Sequence, residues 1–383
     1  MLHENMEKFA DCHIHIRGQR KNEIQSMLDD VADMGVTDAC LLSLPSNHSS
    51  SENLAALYWK LKYKKMQIRS FGGLHHSDMY AEIPYEKQAQ RFLELGGDGV
   101  KLLDMKPDSR HFNKRGINHP AYDKMFSFLE ETGTPILIHA NDPKEMWEKP
   151  DPILVNGLSI YRGMVRDKEY LSYDEIYDET FEMLDKHPHL NVVFAHVLFL
   201  SSDLQKAIYV MEKYPNIKMD LAPGTDMYFH FMDNLPGWHD FFTKYSNRIL
   251  FGTDTNTYKD FNKEIHELVY TFLTHDDTEF RMPCYGNWTI RGLGLDAKTV
   301  ENICYNSYAS FVSPEIQPVN EGEFYHCAEQ MLIQLNNNSC DPYRKKAFEF
   351  WSDSDMKDDD LLQTDARSFL KDILAEKGLL HMN

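Results

Sequence analysis

The sequence predicts a closed eight-stranded (β/α)8 barrel carrying a helical C-terminal extension. The first observation is alternation: short continuous apolar runs and helix-period segments follow one another eight times between residue 11 and about residue 274. Strands that are apolar on both faces and separated by helices form a parallel sheet buried under those helices. The second is size, since eight such units in about 265 residues match one barrel. A doubly wound open sheet competes, but it calls for a glycine-rich phosphate turn after its first strand. Gly292-Leu293-Gly294 falls far downstream of that position.

Taken in order, the first strand is Asp11-Cys12-His13-Ile14-His15, in which alternation puts His13 and His15 on one face and Cys12 and Ile14 on the other. Ile24, Met27, Leu28, Val31 and Met34 keep helical spacing up to Gly35. The second strand runs from Val36 to Leu44 and stops at Pro45. A helix over 51–64 leads to the third strand, Ile68–Leu74, which ends beside His75 and His76. Helix Tyr85–Leu95 closes at Gly96-Gly97, and strand Gly99–Leu103 carries Lys101. Helix Tyr122–Glu131 precedes the apolar run Pro135–Ile138, which delivers His139.

A polar and aromatic stretch from Asn141 to Tyr173 is too long for an ordinary connection. Helix Tyr173–Lys186 then leads to Asn191–Ala195 and His196; helix Asp203–Lys213 leads to strand Ile217–Leu221. A helix near Asp240–Tyr245 precedes Arg248–Thr253, which delivers Asp254. In the next helix Phe261, Ile265, Leu268, Val269, Phe272 and Leu273 share a face. Residues 276–314 are a connector with one helix, Asp296–Phe311. Helices over Glu323–Leu335, Pro342–Trp351 and Leu361–Leu374 follow. The expected division is a barrel over 1–314, with a lid-like insertion at about 141–172, and a helical extension over 315–383 that packs on the barrel or on a second subunit.

Composition narrows the function. The formal net charge of −20, from 60 acids against 40 bases, argues against a nucleic-acid or anionic-membrane partner. No N-terminal apolar segment and no run approaching a membrane span is present, and six scattered cysteines lack any CxxC spacing. The expectation is a cytoplasmic, homo-oligomeric protein with reduced thiols and a small-molecule substrate.

His-X-His alone is a cheap motif among 18 histidines. Position changes that. His13 and His15 end the first strand, His139 the fifth, His196 the sixth and Asp254 the eighth, each after an apolar run. All therefore stand at the carboxyl rim, where barrels of this kind assemble active sites. Three imidazoles and a carboxylate suit one divalent ion, Zn²⁺ first, with Mn²⁺, Fe²⁺ or Co²⁺ as alternatives.

Cys-His-Ile-His (12–15), Leu-Ile-His-Ala (137–140), Phe-Ala-His (194–196), Phe-Gly-Thr-Asp (251–254) and the helix Gly294–Phe311 with Asn306 together resemble the amidohydrolase superfamily, in its amidohydrolase-related branch. The likeness spans about residues 11–312 and is specific for superfamily rather than for substrate. It implies that His13, His15 and Asp254 hold the metal with His139 as a further ligand. It also implies that Asp254 passes a proton between water and leaving group, and that His196 polarises the substrate or moves a proton. The implied reaction is hydrolysis of a small carbonyl compound (an amide, lactone or ester, carboxylated) by metal-activated water. A non-oxidative decarboxylase of an aromatic or unsaturated acid is the alternative, and a non-catalytic barrel would be expected to have lost a ligand.

Lys101 sits where binuclear members of the superfamily carry a carboxylated, metal-bridging lysine. A second metal there, substrate-anion binding and an outward structural role all stay open, with one metal expected. Arg17 is a candidate for holding a substrate carboxylate, or else a rim salt bridge. One of His75 and His76 faces the pocket or both are solvated. Asn141, Trp147, Tyr161, Arg162 and Arg166 belong to the insertion, which acts as a lid or as a subunit contact. His111, His119, His187, His189, His230 and His239 are expected at the surface.

Overall fold

The computed structural model describes residues 6–16, 20–44, 49–76, 83–148, 170–224, 227–257, 262–282, 288–336 and 359–380. Eight parallel strands pair in chain order: β1 (Ala10–His15), β2 (Asp38–Leu42), β3 (Gln67–Gly73), β4 (Gly99–Met105), β5 (Ile136–Ala140), β6 (Val192–Phe194), β7 (Lys218–Asp220) and β8 (Ile249–Leu250). The last gap is bridged by Cys12 N donating to Phe251 O at 3.0 Å and His15 N to Thr255 O at 2.8 Å. The expected barrel is therefore the observed one.

Between the strands lie α1 (Lys21–Asp33), α2 (Ser49–Lys62), α3 (Tyr85–Glu94), α4 (Pro107–Asn113), α5 (Pro120–Thr132), α6 (Tyr173–Lys186), α7 (Leu204–Lys213), α8 (Met227–Met232) and α9 (Leu235–Lys244). After β8 comes α10 (Asn262–Thr274), whose buried face includes Ile265, Leu268, Val269, Phe272 and Leu273, as its spacing predicts. α4 and α8 are additions to the expected order, and α9 begins five residues before the expected Asp240. The expected connector also holds an antiparallel hairpin, β9 (Asp276–Met282) with β10 (Trp288–Leu293). Its first strand, DDTEFRM, is dominated by charged and polar residues, and the second, WTIRGL, is short and carries Arg291 and Gly292, so the apolar pattern gives little sign of the pair.

The register shows which side chains face inward. Lys101, Leu137 and Val193 are direct neighbours across β4, β5 and β6. Leu137 and Val193 belong to the interior cluster with Ala10, Cys12, Cys40, Leu42, Phe71, Ala195 and Leu250. Lys101 thus points into the barrel, in the inward one of its two registers. α11 (Ala297–Glu301) and α12 (Ser307–Phe311), joined by a π turn, close the N-terminal end with Tyr308, Phe311 and Val312.

One expectation fails in β1. Cys12 belongs to the interior cluster, not to the layer behind the strand. The β1–β2 register slips by one residue between Asp11 and Ile14. This bulge gives Cys12 and His13 a single opposite position, and so shifts the phase of alternation. Gly252 makes room for it: a Cβ there would lie 3.0 Å from His13 Cβ and 3.4 Å from Cys12 Sγ.

The extension is helical and folds back on the barrel. α13 (Glu321–Asn336) and α14 (Asp359–Glu376) pack against each other; Ala366, Phe369, Leu370 and Ile373 of α14 are buried. Phe369 meets Tyr58 of α2 edge-on at 5.5 Å, and Lys21 of α1 pairs with Glu376. The expected helix Pro342–Trp351 lies outside the described residues. The connector before α13 is pinned by a buried ion pair: Lys60 Nζ lies 2.5 Å from Asp98 Oδ2, while Gln317 N donates to the other oxygen of Asp98 at 3.0 Å. Lys60→Ala would strand a buried carboxylate. We expect a loss of about 3–5 kcal/mol of stability, read by denaturant unfolding; an unchanged midpoint would refute it.

Candidate metal centre

His13 and His15 reach the rim on β1, and Asp254 follows β8 with φ at 55°, in the left-handed region that Asp and Asn tolerate better than most residues. Their ligand atoms form a compact triangle. His13 Nε2 and His15 Nε2 are 3.0 Å apart, and Asp254 Oδ1 lies 3.6 Å and 3.2 Å from them. Donors held by one ion at roughly 2.1 Å sit about 3.0–3.4 Å from each other. Among the described residues these three are the group of candidate ligands that converges in this way.

Tautomers make the triangle chemically pointed. His13 Nδ1 lies 2.8 Å from Asp220 Oδ2, an acceptor, so Nδ1 carries the hydrogen and Nε2 the lone pair. His15 Nδ1 faces the Leu42 carbonyl at 3.4 Å, which assigns it the same way. Two buried imidazole lone pairs therefore face one another beside a partly exposed carboxylate oxygen. Burial pushes His13 well below its usual pKa and His15 down to about 3, so neither relieves the repulsion by taking a proton at neutral pH. A cation between them does relieve it, and the residues present fit a divalent ion.

Asp220, at the end of β7, escaped the sequence reading. Its neighbour across the sheet, Leu250, belongs to the interior cluster, so the carboxylate faces inward. Besides holding His13, its Oδ1 accepts from His196 N at 2.9 Å and Ala222 N at 3.1 Å. Burial raises its pKa, opposed by the charge of His196 and these bonds. An acid between Met219 and Leu221 at the carboxyl end of a strand, at the same rim as the histidines, was the available signal.

His196 opens a turn in which four consecutive non-glycine residues, His196, Val197, Leu198 and Phe199, have φ of 56, 52, 54 and 50°. Left-handed backbone costs roughly 1–2 kcal/mol per residue. The turn is held by Tyr177 Oη donating to Leu198 O at 2.8 Å, by Tyr173 Oη donating to Phe199 O at 2.7 Å, and by the Asp220 bond to His196 N. His196 Nδ1 donates to Ala222 O at 2.8 Å, which leaves the Nε2 lone pair toward the site. Burial lowers its pKa to about 4, so it is neutral at physiological pH. Its ring lies 5.3 Å from that of His13 and 4.9 Å from that of His139.

His139 is therefore beside the triangle but is not part of it. Its Nε2 lies 3.1 Å from Asp142 Oδ1, leaving Nδ1 as the nitrogen for a metal. Asp142 in turn takes Lys106 Nζ at 2.5 Å. Burial alone would raise the Asp142 carboxyl, but Lys106 and His139 bring it from 3.8 to about 2. Its folded value is the lower one, so its contribution to stability is complete above about pH 4 and fades as pH falls through 2. Lys106→Met should move acid unfolding, followed by circular dichroism, to higher pH; identical curves between pH 4 and 2 would count against this.

The remaining candidates are dispersed. Lys101 is fully buried, and its charge helps to hold His13, His15 and His139 neutral. Asn141, also fully buried, donates to Tyr173 O and accepts from Asp142 N. Trp147 donates from Nε1 to Leu171 O at 3.0 Å, joining the two ends of the insertion. Arg17, Tyr161, Arg162 and Arg166 lie outside the described residues. His76 is turned onto Asp104 at 3.1 Å and Tyr85 at 2.9 Å, and with His75 lines a cleft that also includes Pro84, Arg115 and Pro120. Two histidines expected at the surface are not there. His187 is buried against Phe126 and Glu130, and His230 is held between Glu145 and Ser201, because short helices and turns cover them.

A family model described as amidohydrolase matches residues 59–305, which include His139, His196 and Asp254 but begin after His13 and His15. No curated protein sequence matches. Among solved structures, a putative amidohydrolase from Staphylococcus aureus superposes with a TM-score of 0.50 at 13% identity, covering 80% of this chain and 99% of its own. An uncharacterized TIM-barrel protein from Bordetella bronchiseptica gives 0.49 at 16% identity, with 79% and 98% covered. A 2,6-dihydroxybenzoate decarboxylase from Rhizobium gives 0.46 at 15%, with 80% and 98% covered. At these identities the likeness concerns the fold. No helix among the described residues is long and apolar enough to cross a membrane.

Proposed function

We propose, from the premise that this chain belongs to the amidohydrolase family, that it is a metal-dependent hydrolase of a small carbonyl compound, an amide, lactone or ester bearing a carboxylate. The family model covers more than half of the chain, and its members are enzymes that use a divalent metal. One observation carries the reading: the lone pairs of His13 and His15 meet at 3.0 Å beside the Asp254 carboxylate, an arrangement that repels itself unless a cation is shared. His13, His15 and Asp254 would hold the ion, Zn²⁺ before Mn²⁺, Fe²⁺ or Co²⁺, with His139 as a further ligand through Nδ1. When bound, the ion supplies Lewis acidity, bringing the pKa of a water toward about 7.

The chain supplies the rest. Asp254 keeps 26% of its side chain exposed, the most of the three, and is the group that water and substrate reach. It takes the proton of the attacking water and returns it to the leaving group. His196 presents an Nε2 lone pair, so it accepts a proton rather than donating one to a carbonyl; of its two expected roles, proton transfer is the one the tautomer favours. Lys101 adds a fixed positive charge beneath the site, which favours an anionic substrate. Arg17 and Arg162 are retained as candidates for its carboxylate, with Asn141 and Trp147 at the base of the loop that would cover it.

The test is metal analysis of the purified protein, followed by a substrate panel. About one divalent ion per chain is expected, with base uptake on lactones, esters or cyclic amides and no CO2 released from aromatic acids. CO2 release without base uptake would overturn hydrolysis in favour of decarboxylation. Two ions per chain, reduced to one in Lys101→Ala, would overturn the single-metal assignment.

A further inference from the structure

Three loops of the catalytic face meet in a hydrogen-bonded chain that the metal chemistry does not use. Glu145 lies in the 3-10 turn after β5, Ser201 in the loop after β6 and His230 in α8 after β7. Ser201 Oγ is 3.1 Å from His230 Nδ1, and His230 Nε2 is 3.0 Å from Glu145 Oε1. None of the three belongs to the His13–His15–Asp254 triangle. We propose that Ser201 is an activated nucleophile, with His230 as its base and Glu145 as the orienting carboxylate, in a metal-independent acyl-transfer site for small activated esters.

The order of groups is what carries this. A carboxylate only accepts hydrogen bonds, so the imidazole hydrogen sits on Nε2 and the Nδ1 lone pair faces the serine. The hydroxyl therefore donates to nitrogen, the polarity a general base needs to draw its proton away. Glu145 is 92% buried, at 8% exposure, which keeps its charge directed at the imidazole rather than dispersed in water. The carboxylate also stabilises the imidazolium that forms when the serine reacts. Ser201 is 5% exposed and the His230 side chain 18%, so only a small acyl donor would fit against the hydroxyl. The three loops start from three adjacent strands, whose rigid spacing fixes the chain.

The reaction balances without any co-reactant but water. Ser201 Oγ bonds to the ester carbon while its proton passes to His230 Nδ1. The bond to the alkoxy group breaks, and that group leaves with the electron pair and the proton from His230. Water then attacks the acyl-serine, again yielding its proton to His230, and the acid departs as Ser201 is restored.

A fluorophosphonate probe and p-nitrophenyl acetate test the proposal on the whole chain, before and after metal is stripped with a chelator. The expected result is one probe adduct per chain, located on Ser201 by peptide mass spectrometry, forming at the same rate in both preparations. His230→Gln should slow it at least tenfold, and Glu145→Gln should slow it by less. Absence of an adduct on Ser201 in the wild-type protein overturns the proposal, as does an equal rate in a folded His230→Gln protein. The wild-type measurement stands without any variant, so a variant that fails to fold does not blunt the test. Loss of labelling on metal removal alone would assign the reactivity to the metal centre and likewise overturn it.

Discussion

Asp254→Asn is expected to leave the barrel folded and to lower kcat/KM by at least about 10³-fold, with bound metal falling below one ion per chain. Asparagine is the right probe because Asp254 has φ at 55°, a conformation asparagine adopts with little strain, whereas alanine would confound chemistry with backbone relaxation. The substitution removes two things at once. A neutral amide is a poorer ligand than a carboxylate for a hard or borderline cation. It also cannot accept the proton of the attacking water, and loss of a positioned acid–base group costs typically about 10²–10⁴-fold. His15→Ala supplies the contrast: it removes a ligand and spares the proton acceptor, so adding excess metal should recover more activity than in Asp254→Asn. The readouts are metal content, initial rates and thermal unfolding. Turnover within tenfold of wild type in Asp254→Asn would take Asp254 out of the chemistry.

Much of the site was legible because a barrel turns sequence position into spatial position. His139 and Asp254 each follow an apolar run that ends at the rim, and His196 does so too, so three residues spread over 116 positions arrive at one face. What stayed illegible depends on departures from regular geometry. The bulge at Cys12 and His13 inverts the alternation that a strand would otherwise impose, and nothing in the residues themselves announces it. The left-handed run His196–Phe199 contains no glycine, so its sequence gives no hint that the backbone turns. It exists because Tyr173, Tyr177 and Asp220 bind its polar groups from two other elements. The hairpin Asp276–Leu293 is held by its own pairing and by Ile290 and Leu293 of its second strand, which are buried in the main core beside α10. Long-range partners decide each of these cases, and a one-dimensional pattern does not contain them.

Asp220→Asn should weaken metal binding about 10–100-fold while changing the melting temperature little, the size of effect typical when a group supporting a metal-bound histidine is lost. The reason is a tautomer. Asp220 Oδ2 is an obligate acceptor 2.8 Å from His13 Nδ1, and it thereby keeps the lone pair on Nε2, within the ligand triangle. An asparagine can satisfy His196 N and Ala222 N through its carbonyl oxygen, and it then turns its NH2 toward His13. Nδ1 becomes the acceptor and the hydrogen moves to Nε2, aimed at His15 Nε2 3.0 Å away. A hydrogen occupies the place of a ligand lone pair, and binding must first reverse the tautomer. Asp220→Ala behaves differently. It frees His13 to choose either tautomer but leaves two buried backbone N–H groups without their acceptor, at about 1–3 kcal/mol for each. The two variants therefore separate along different axes: affinity for Asn, stability for Ala. Calorimetric titration of metal into stripped protein, beside thermal unfolding, reads both. An Asn variant that binds metal as tightly as the wild type would show that His13 is oriented by packing alone, and Asp220 would then serve the left-handed turn at His196 and not the ion.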